Sequence, residues 1–300
     1  MPCYLPPSRT TQSWVASVCG VGANVVTTER LVGGITADVD RIAVRGRNGR
    51  HRRVVLRRWT NLEPWTDGLV EREALALRAL AGQGVYAPRF LASDPTGDLA
   101  GVRCVLMTEV PGKVVLAPAD LGRWLDRLAS TQARIHEVAP TLAARTVGWF
   151  DPGADFGWIS DAGLRRDAAA AASEHVGGEQ AVFVHGDYQH FNVLWTGEEP
   201  SGVVDWTGAG TGARGTDVGH CRLNLAVLFS AEAAETYLDR YEQASGVVVD
   251  PRADMRALMC WNPSWLAFIP AQVSARARVD LAGMPDRVVE TLRRSLRRWR

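Results

Sequence analysis

The sequence predicts an α+β protein in two lobes: a small N-terminal antiparallel β lobe with one main helix, and a larger, mainly helical C-terminal lobe. Three observations carry this. At 300 residues the chain is long for one hydrophobic core, because single cores stop growing near this size and longer chains divide. The first hundred residues read as short apolar alternations around one helical stretch. After residue 113 helical spacing takes over, broken by two short strand regions,. These shifts set the expected boundaries: an N-lobe over 1–107, a hinge over 108–113 and a C-lobe over 114–300.

The elements follow in order. LVGGITADVDRIAVR (31–45) gives a glycine pair and then period-two alternation, and RRVVLRRW (52–59) is a second strand after the turn RNGR, so a hairpin is expected,. From Thr66, TDGLVEREALALRALAGQG has a Thr/Asp start, early acidic residues, apolar residues at helical spacing and a closing glycine. It is the clearest helix. CVLMTEVPG (104–112) is a buried strand stopped by Pro-Gly, and it marks the crossing between lobes,. Beyond it, DLGRWLDRLASTQARIHEV, LRRDAAAAASEHV, DVGHCRLNLAVLFSAEAAETYLDRYEQASG and a long C-terminal stretch read as helices. The strand regions are AVFVHGD with FNVLW, and SGVVDW, and each ends in a polar residue that the pattern does not require.

Composition narrows the class. An apolar share of 46% with 22% charged residues is that of a globular protein, and no run approaches the ~20 apolar residues that span a bilayer. The opening MPCYLPPSRTTQSW has no apolar signal core, so a cytoplasmic location is expected,. Cys3, Cys19, Cys104, Cys221 and Cys260 are scattered, with no CxxC pair, which argues against a disulfide framework or zinc site and for buried thiols,. A net charge of +1 gives no pull toward nucleic acid or membrane, and a monomer or homodimer is expected,. Lys113 is the only lysine, so arginine must stand wherever another basic side chain is needed.

The stretch VHGDYQHFNVLW (184–195) sets His185, Asp187, His190 and Asn192 among residues suited to a buried strand. An unpartnered buried polar group costs roughly 1 to 3 kcal/mol, so these groups either satisfy one another or serve a ligand. SGVVDW places Asp205 at the end of another apolar strand. Two carboxylates and an amide are oxygen donors suited to Mg²⁺, whereas neither histidine has a partner at HxxxH spacing for zinc.

These residues resemble the signature of aminoglycoside phosphotransferases and their choline kinase-like relatives, in HGDYQHFN followed by VVDW. The resemblance extends, in order, over LVGG, VVLRRW, REALALRAL, APRFLA, VLMTEVPG and DVGH. It implies a protein-kinase-like fold with ATP (or GTP) and Mg²⁺ in the cleft, and transfer of the γ-phosphate to the hydroxyl of a small molecule. By the same resemblance Asp187 orients and deprotonates the acceptor, His185 braces the loop, and Asn192 and Asp205 hold Mg²⁺. Arg57 matches the family's phosphate-contacting basic residue, departing from kinases with lysine there. Strand alternation sets Val55 on its face. Leu69, Glu73, Ala76, Leu77 and Leu80 share one helix face, which makes Glu73 the partner of Arg57 unless it is merely a solvated glutamate. Gly33 and Gly34 permit close approach to phosphate or simply form a turn. Met107, Thr108 and Val110 are expected to offer backbone hydrogen bonds to adenine.

The acceptor is harder to read. Trp158, Trp261 and Trp265, with Trp149, are either core or walls of the acceptor pocket. Asp217 reads as a helix N-cap. The resemblance makes an aminoglycoside-like antibiotic, and hence antibiotic resistance, the leading expectation, and Asp151, Asp155, Asp161 and Asp167 leave a polycation open. LRRSLRRWR at the C-terminus favours a neutral or anionic acceptor (a macrolide, a sugar or another metabolite) if it borders the site, and is otherwise a solvated basic helix. A nucleotide-binding pseudokinase, and an adaptor using that basic helix, are the readings from other classes.

Overall fold

The computed structural model describes residues 4–31, 36–61, 63–144, 150–174, 180–273 and 276–300. The chain divides into two compact units, Met1–Gly82 with Tyr86–Pro111, and Gln83–Val85 with Gly112–Arg300.

The first unit is built on α1 (Arg9–Cys19), β1 (Asn24–Arg30), β2 (Asp38–Arg45), β3 (His51–Trp59), α2 (Leu69–Ala79), β4 (Phe90–Asp94) and β5 (Arg103–Thr108). Its strands form one sheet in the order β1-β2-β3-β5-β4, antiparallel at every pair. Alternation sorts β3 between two faces. Val54 and Leu56 enter a core with Val15, Ile42, Val44, Cys104 and Leu106, whereas Arg57 turns to the face that carries α2. Two elements go beyond the expected hairpin and helix. α1 starts where Ser8 Oγ accepts the N–H of Thr11 at 3.1 Å, and β1 extends the hairpin to a third strand. The Thr/Asp start of α2 is also corrected. Gly68, at φ +72°, occupies the cap position, while Thr66 Oγ1 donates to the Glu63 carbonyl and Asp67 pairs with Arg103 at 2.9 Å.

The second unit comprises α3 (Leu121–His136), α4 (Ala162–Ser173), β6 (Val182–Val184), β7 (Val193–Thr196), β8 (Glu199–Val203), β9 (Gly210–Gly212), α5 (Arg214–Leu228), α6 (Ala231–Ser245), α7 (Pro251–Leu258), α8 (Trp265–Val273) and α9 (Met284–Trp299). β7 and β8 make an antiparallel hairpin, and β6 pairs with β9. The long helical stretch from Asp217 breaks once. Ser230 caps α6 by accepting the N–H of Ala233,. Inside the helical layer Arg222 is fully buried and binds Asp254, Ser295, Glu235 and the Ala234 carbonyl, tying α5 to α6, α7 and α9.

The basic C-terminus is a solvated face whose arginines are ion-paired. Arg294 pairs with Glu232 and Glu290, Arg298 with Glu242, Arg300 with Asp167, and Arg293 lies 3.9 Å from Asp161. Of the cysteines expected to be buried, Cys104 and Cys221 are; Cys19 and Cys260 are half-exposed. No helix among the described residues is long and apolar enough to cross a membrane.

Candidate active site

The loop from β6 to β7 is held at its backbone first. Gly186 takes φ +81° and lies against Gly208, so that a Cβ there would collide with the Gly208 carbonyl,. Asp217 then accepts the N–H groups of His185 and Gly186 at 2.6 and 2.7 Å. This corrects its reading as an N-cap: α5 is capped at Ala213, and the Asp217 carboxylate serves the loop instead. Burial alone would push that carboxyl up, but the His136 and His185 contacts hold it below its ordinary range,. His136 is pushed down by its own burial, against the pull of Asp217, and is neutral. A consistent donor chain results. Arg214 donates to Tyr241 Oη at 2.9 Å, Tyr241 to His136 Nδ1 at 2.6 Å, and His136 Nε2 to Asp217 at 3.3 Å.

His185 joins the two strand ends. Its Nδ1 accepts the N–H of Asp187 at 3.2 Å and its Nε2 donates to the Val204 carbonyl at 3.0 Å. Tyr188 anchors the loop to α3 through the Leu128 carbonyl. His190 is fully buried among Trp124, Phe191 and Phe229, neither ring nitrogen has a hydrogen-bond partner, and burial pushes its pKa down to about 3.

The chemistry-bearing side chains converge at Asp187 and Asn192. Asn192 Nδ2 donates to the carbonyl of Asp187 at 2.8 Å and to its Oδ2 at 3.0 Å, which turns the amide oxygen the other way. The Asn192 carbonyl also accepts the N–H of Val204, which sets Asn192 beside the strand end that leads to Asp205. Asp205 has φ +66° and is the one non-glycine residue with positive φ among those described. Such backbone costs of order 1 kcal/mol or more and concentrates at functional positions. Its Oδ1 accepts from Thr207 at 2.8 Å. An amide oxygen and a carboxylate at neighbouring strand ends are hard oxygen donors, and they fit Mg²⁺ with water and phosphate oxygens completing its shell. No group of three or more His, Cys, Asp or Glu suited to a metal occurs among the described residues.

In the first unit the guanidinium of Arg57 pairs with Glu73 at 2.5 Å, both buried, and lies 5.2 Å from the ring of Trp59. The alternative of a solvated Glu73 is thereby removed. Val55 is opposite Met107 in the ladder, so the two share a face with Arg57,. Thr108 donates its N–H to the Arg89 carbonyl at 2.9 Å, which removes it from the adenine donors expected of this segment. Glu109, just beyond, binds Arg41 and Arg53 at 2.6 and 2.8 Å. Val110 is half-buried. Gly33, Gly34 and Trp149 lie outside the described residues.

The tryptophans separate. Trp261 is buried and packs edge-on against Trp158 with centroids 4.8 Å apart, which makes it core. Trp158 and Trp265 keep exposed surface. Asp151 and Asp155 are exposed and accept the N–H groups of Gly153 and Gly157. Lys113 has an exposed side chain, and its backbone pairs with Trp195.

The sequence reading missed His220, whose Nε2 lies 2.8 Å from Asp187 Oδ1. Asp217 and His220 are three apart on one helix, so one face reaches both the backbone and the side chain of the loop.

The sequence model of a family described as "APH: Phosphotransferase enzyme family" matches residues 32–258. Solved structures with this fold include a macrolide 2'-phosphotransferase from Brachybacterium faecium, 18% identical over 93% of this chain and 96% of that one, with a TM-score of 0.56. A thermostable mutant of the aminoglycoside phosphotransferase APH(4)-Ia, in a ternary complex with AMP-PNP and hygromycin B, is 15% identical over 95% and 99%, with a TM-score of 0.61. An aminoglycoside-3'-phosphotransferase of type VIII is 19% identical over 84% and 99%, with a TM-score of 0.54. No curated protein matches the sequence.

Proposed function

Because the chain belongs to the phosphotransferase enzyme family, we propose that it moves the γ-phosphate of ATP, with Mg²⁺, to a hydroxyl of a small molecule. One observation supports this most: Asp187 is hydrogen-bonded to Asn192, whose backbone neighbours the strand end carrying the strained Asp205. Phosphoryl transfer asks a protein mainly to position reactants and to neutralise developing charge. In this reading Asp187 orients the acceptor hydroxyl and takes its proton, which contributes about 10² to 10⁴-fold. His185 fixes the loop through its two ring hydrogen bonds. Asn192, through its amide oxygen, and Asp205 hold Mg²⁺, which supplies charge neutralisation at the phosphate oxygens. Arg57, oriented by Glu73, faces phosphate, and Val55 and Met107 offer apolar surface to the base. Residues 1–107 thus supply the nucleotide-side groups, 108–113 the hinge, and 114–300 the loop and acceptor side.

An aminoglycoside-like antibiotic is the acceptor we carry forward, with hygromycin B, bound in the APH(4)-Ia mutant, as its probe. The exposed carboxylates Asp151 and Asp155 support a polycation; Asp161 and Asp167 no longer do, being paired with Arg293 and Arg300. Those ion pairs equally weaken the case for an anionic acceptor drawn by the basic tail. Release of ADP from ATP, or of GDP from GTP, with and without Mg²⁺, against aminoglycosides, macrolides and sugars tests the reading. Mg²⁺-dependent release stimulated by one class is expected; intact nucleotide binding without turnover would instead identify a pseudokinase.

A further inference from the structure

His220 makes a contact that the roles given above do not use. It lies on α5, 14% exposed at its side chain, and its Nε2 sits 2.8 Å from Oδ1 of Asp187. The same oxygen accepts from Gln189 Nε2 at 2.7 Å. Among the described residues, Oδ2 accepts only from Asn192, at 3.0 Å. A carboxylate offers about two lone-pair directions on each oxygen. Those of Oδ1 are therefore filled by two donors, and Oδ2 keeps one. Asp187 keeps 29% of its side chain exposed.

Each donor has neighbours of its own, and Asn224 Nδ2 lies 3.3 Å from the same Nε2 of His220. Gln189 is 92% buried, and its Oε1 has no hydrogen-bond partner, so the bond to Asp187 is the interaction that its amide makes. Asn224, one helical turn along α5, donates Nδ2 to the His220 carbonyl at 3.0 Å. One turn the other way, Asp217 grips the loop backbone. α5 thus holds the loop by its peptide groups and the carboxylate by its side chain.

We propose that His220 is a positioning residue for phosphoryl transfer: together with Gln189 it occupies Oδ1 of Asp187 and leaves Oδ2 as the oxygen that meets the acceptor hydroxyl. The inference rests on Asp187 acting as the base. In the step it serves, the acceptor oxygen bonds to the γ-phosphorus while the bond from that phosphorus to the β–γ bridging oxygen breaks. ADP leaves with the electron pair. The hydroxyl proton passes to Oδ2. Donation by His220 requires its proton on Nε2, and a carboxylate freed from that donor can rotate about its Cα–Cβ and Cβ–Cγ bonds, away from the in-line geometry.

The test uses the full-length protein, MgATP, and water and hygromycin B as acceptors. His220→Leu is expected to lower kcat about ten- to a hundredfold, the scale of a misplaced reacting group, with KM for MgATP within about twofold. His220→Gln, whose amide N–H can reach the same oxygen, is expected to recover most of the loss. Full turnover in His220→Leu, with Asp187→Asn inactive, would overturn the role of His220 and spare that of Asp187. Equal loss in the Leu and Gln variants with equal falls in unfolding temperature would also overturn it. Wild-type turnover in Asp187→Asn, or none in the wild type, removes the base and this inference with it. An independent readout is the ¹⁵N spectrum of the histidine-labelled protein, which has six histidines. His220 should appear as the Nε2–H tautomer and shift in Asp187→Ala; the other tautomer, or no shift, contradicts the contact.

Discussion

His190 shows how far a residue can be read from its neighbours in sequence. Its place between Asp187 and Asn192 suggested chemistry, yet its ring is enclosed by Trp124, Phe191 and Phe229 with both nitrogens unbonded. A buried polar atom without a partner costs roughly 1 to 3 kcal/mol. Replacing the imidazole by an apolar side chain of similar size, in His190→Leu, is therefore expected to raise the unfolding free energy by about that amount, measured by urea denaturation. Asp187, Asn192 and Asp205 were legible because oxygen donors placed at the ends of apolar strands need a reason. His220 was not, because a histidine in a helical run carries no mark of what lies across from it. Arg57 and Glu73 were legible through two periodicities, alternation in β3 and the i, i+4 face of α2, which the structure brings together at 2.5 Å.

At the scale of elements, α5 carries several tasks. Asp217 holds the loop backbone, His220 the carboxylate of Asp187, and Arg222 the helical layer behind them. The apolar spacing of the segment announced a helix, but nothing in it announced the break before Ser230 or the direction of the buried arginine. Arg222 and Asp254 have no exposed side-chain surface. Arg222→Met leaves Asp254 buried without its cation and is expected to cost about 3 to 5 kcal/mol. Arg222→Met/Asp254→Leu should cost less than that single change, because the fully buried carboxylate is gone and Glu235, with 25% of its side chain exposed, can be solvated,. A double-mutant cycle by urea denaturation reads this directly; additive losses would contradict it. β9 escaped the sequence for a plain reason: its three residues, GTG, have no apolar alternation and are recognised only by their pairing with β6.

For the whole molecule, the charge of the C-terminal helix is largely paired. The C-terminal arginines meet carboxylates from α4, α6 and α9 or its approaches, so the adaptor reading loses the free basic face it needs. Binding of a polyanion such as heparin is expected to be weak and unchanged by Arg297→Gln. Acid acts through the buried histidines, His190 with its pKa pushed down to about 3 and His136, and through Asp217,. The folded pKa of His136 lies below its ordinary 6.5, so the unfolded chain takes up that proton first as pH falls. Stability from this group is complete above about pH 6.5 and declines below it, by at most about 1.4 kcal/mol per pH unit. Asp217, held below its ordinary 3.8, adds stability that is present above that pH and is lost as pH falls through its folded value. Unfolding free energies should therefore decline from pH 7.5 to pH 5, with a shallower slope in His136→Gln. The two-unit division and the antiparallel sheet were legible from length and pattern alone; the ion pairs that neutralise the basic tail were not, since their partners lie far away in the chain.

Phosphoryl transfer as proposed needs Asp187 as the base and Asn192 as a magnesium ligand, and one comparison separates those roles. Steady-state ADP release is measured for the wild type, Asp187→Asn and Asn192→Ala across a Mg²⁺ titration, with ATP binding followed in parallel. Asp187→Asn should lose about 10²-fold or more in kcat with ATP binding intact, while Asn192→Ala should first raise the Mg²⁺ concentration needed for half-maximal rate. Unchanged turnover in Asp187→Asn, or an unshifted Mg²⁺ dependence in Asn192→Ala, would contradict the account.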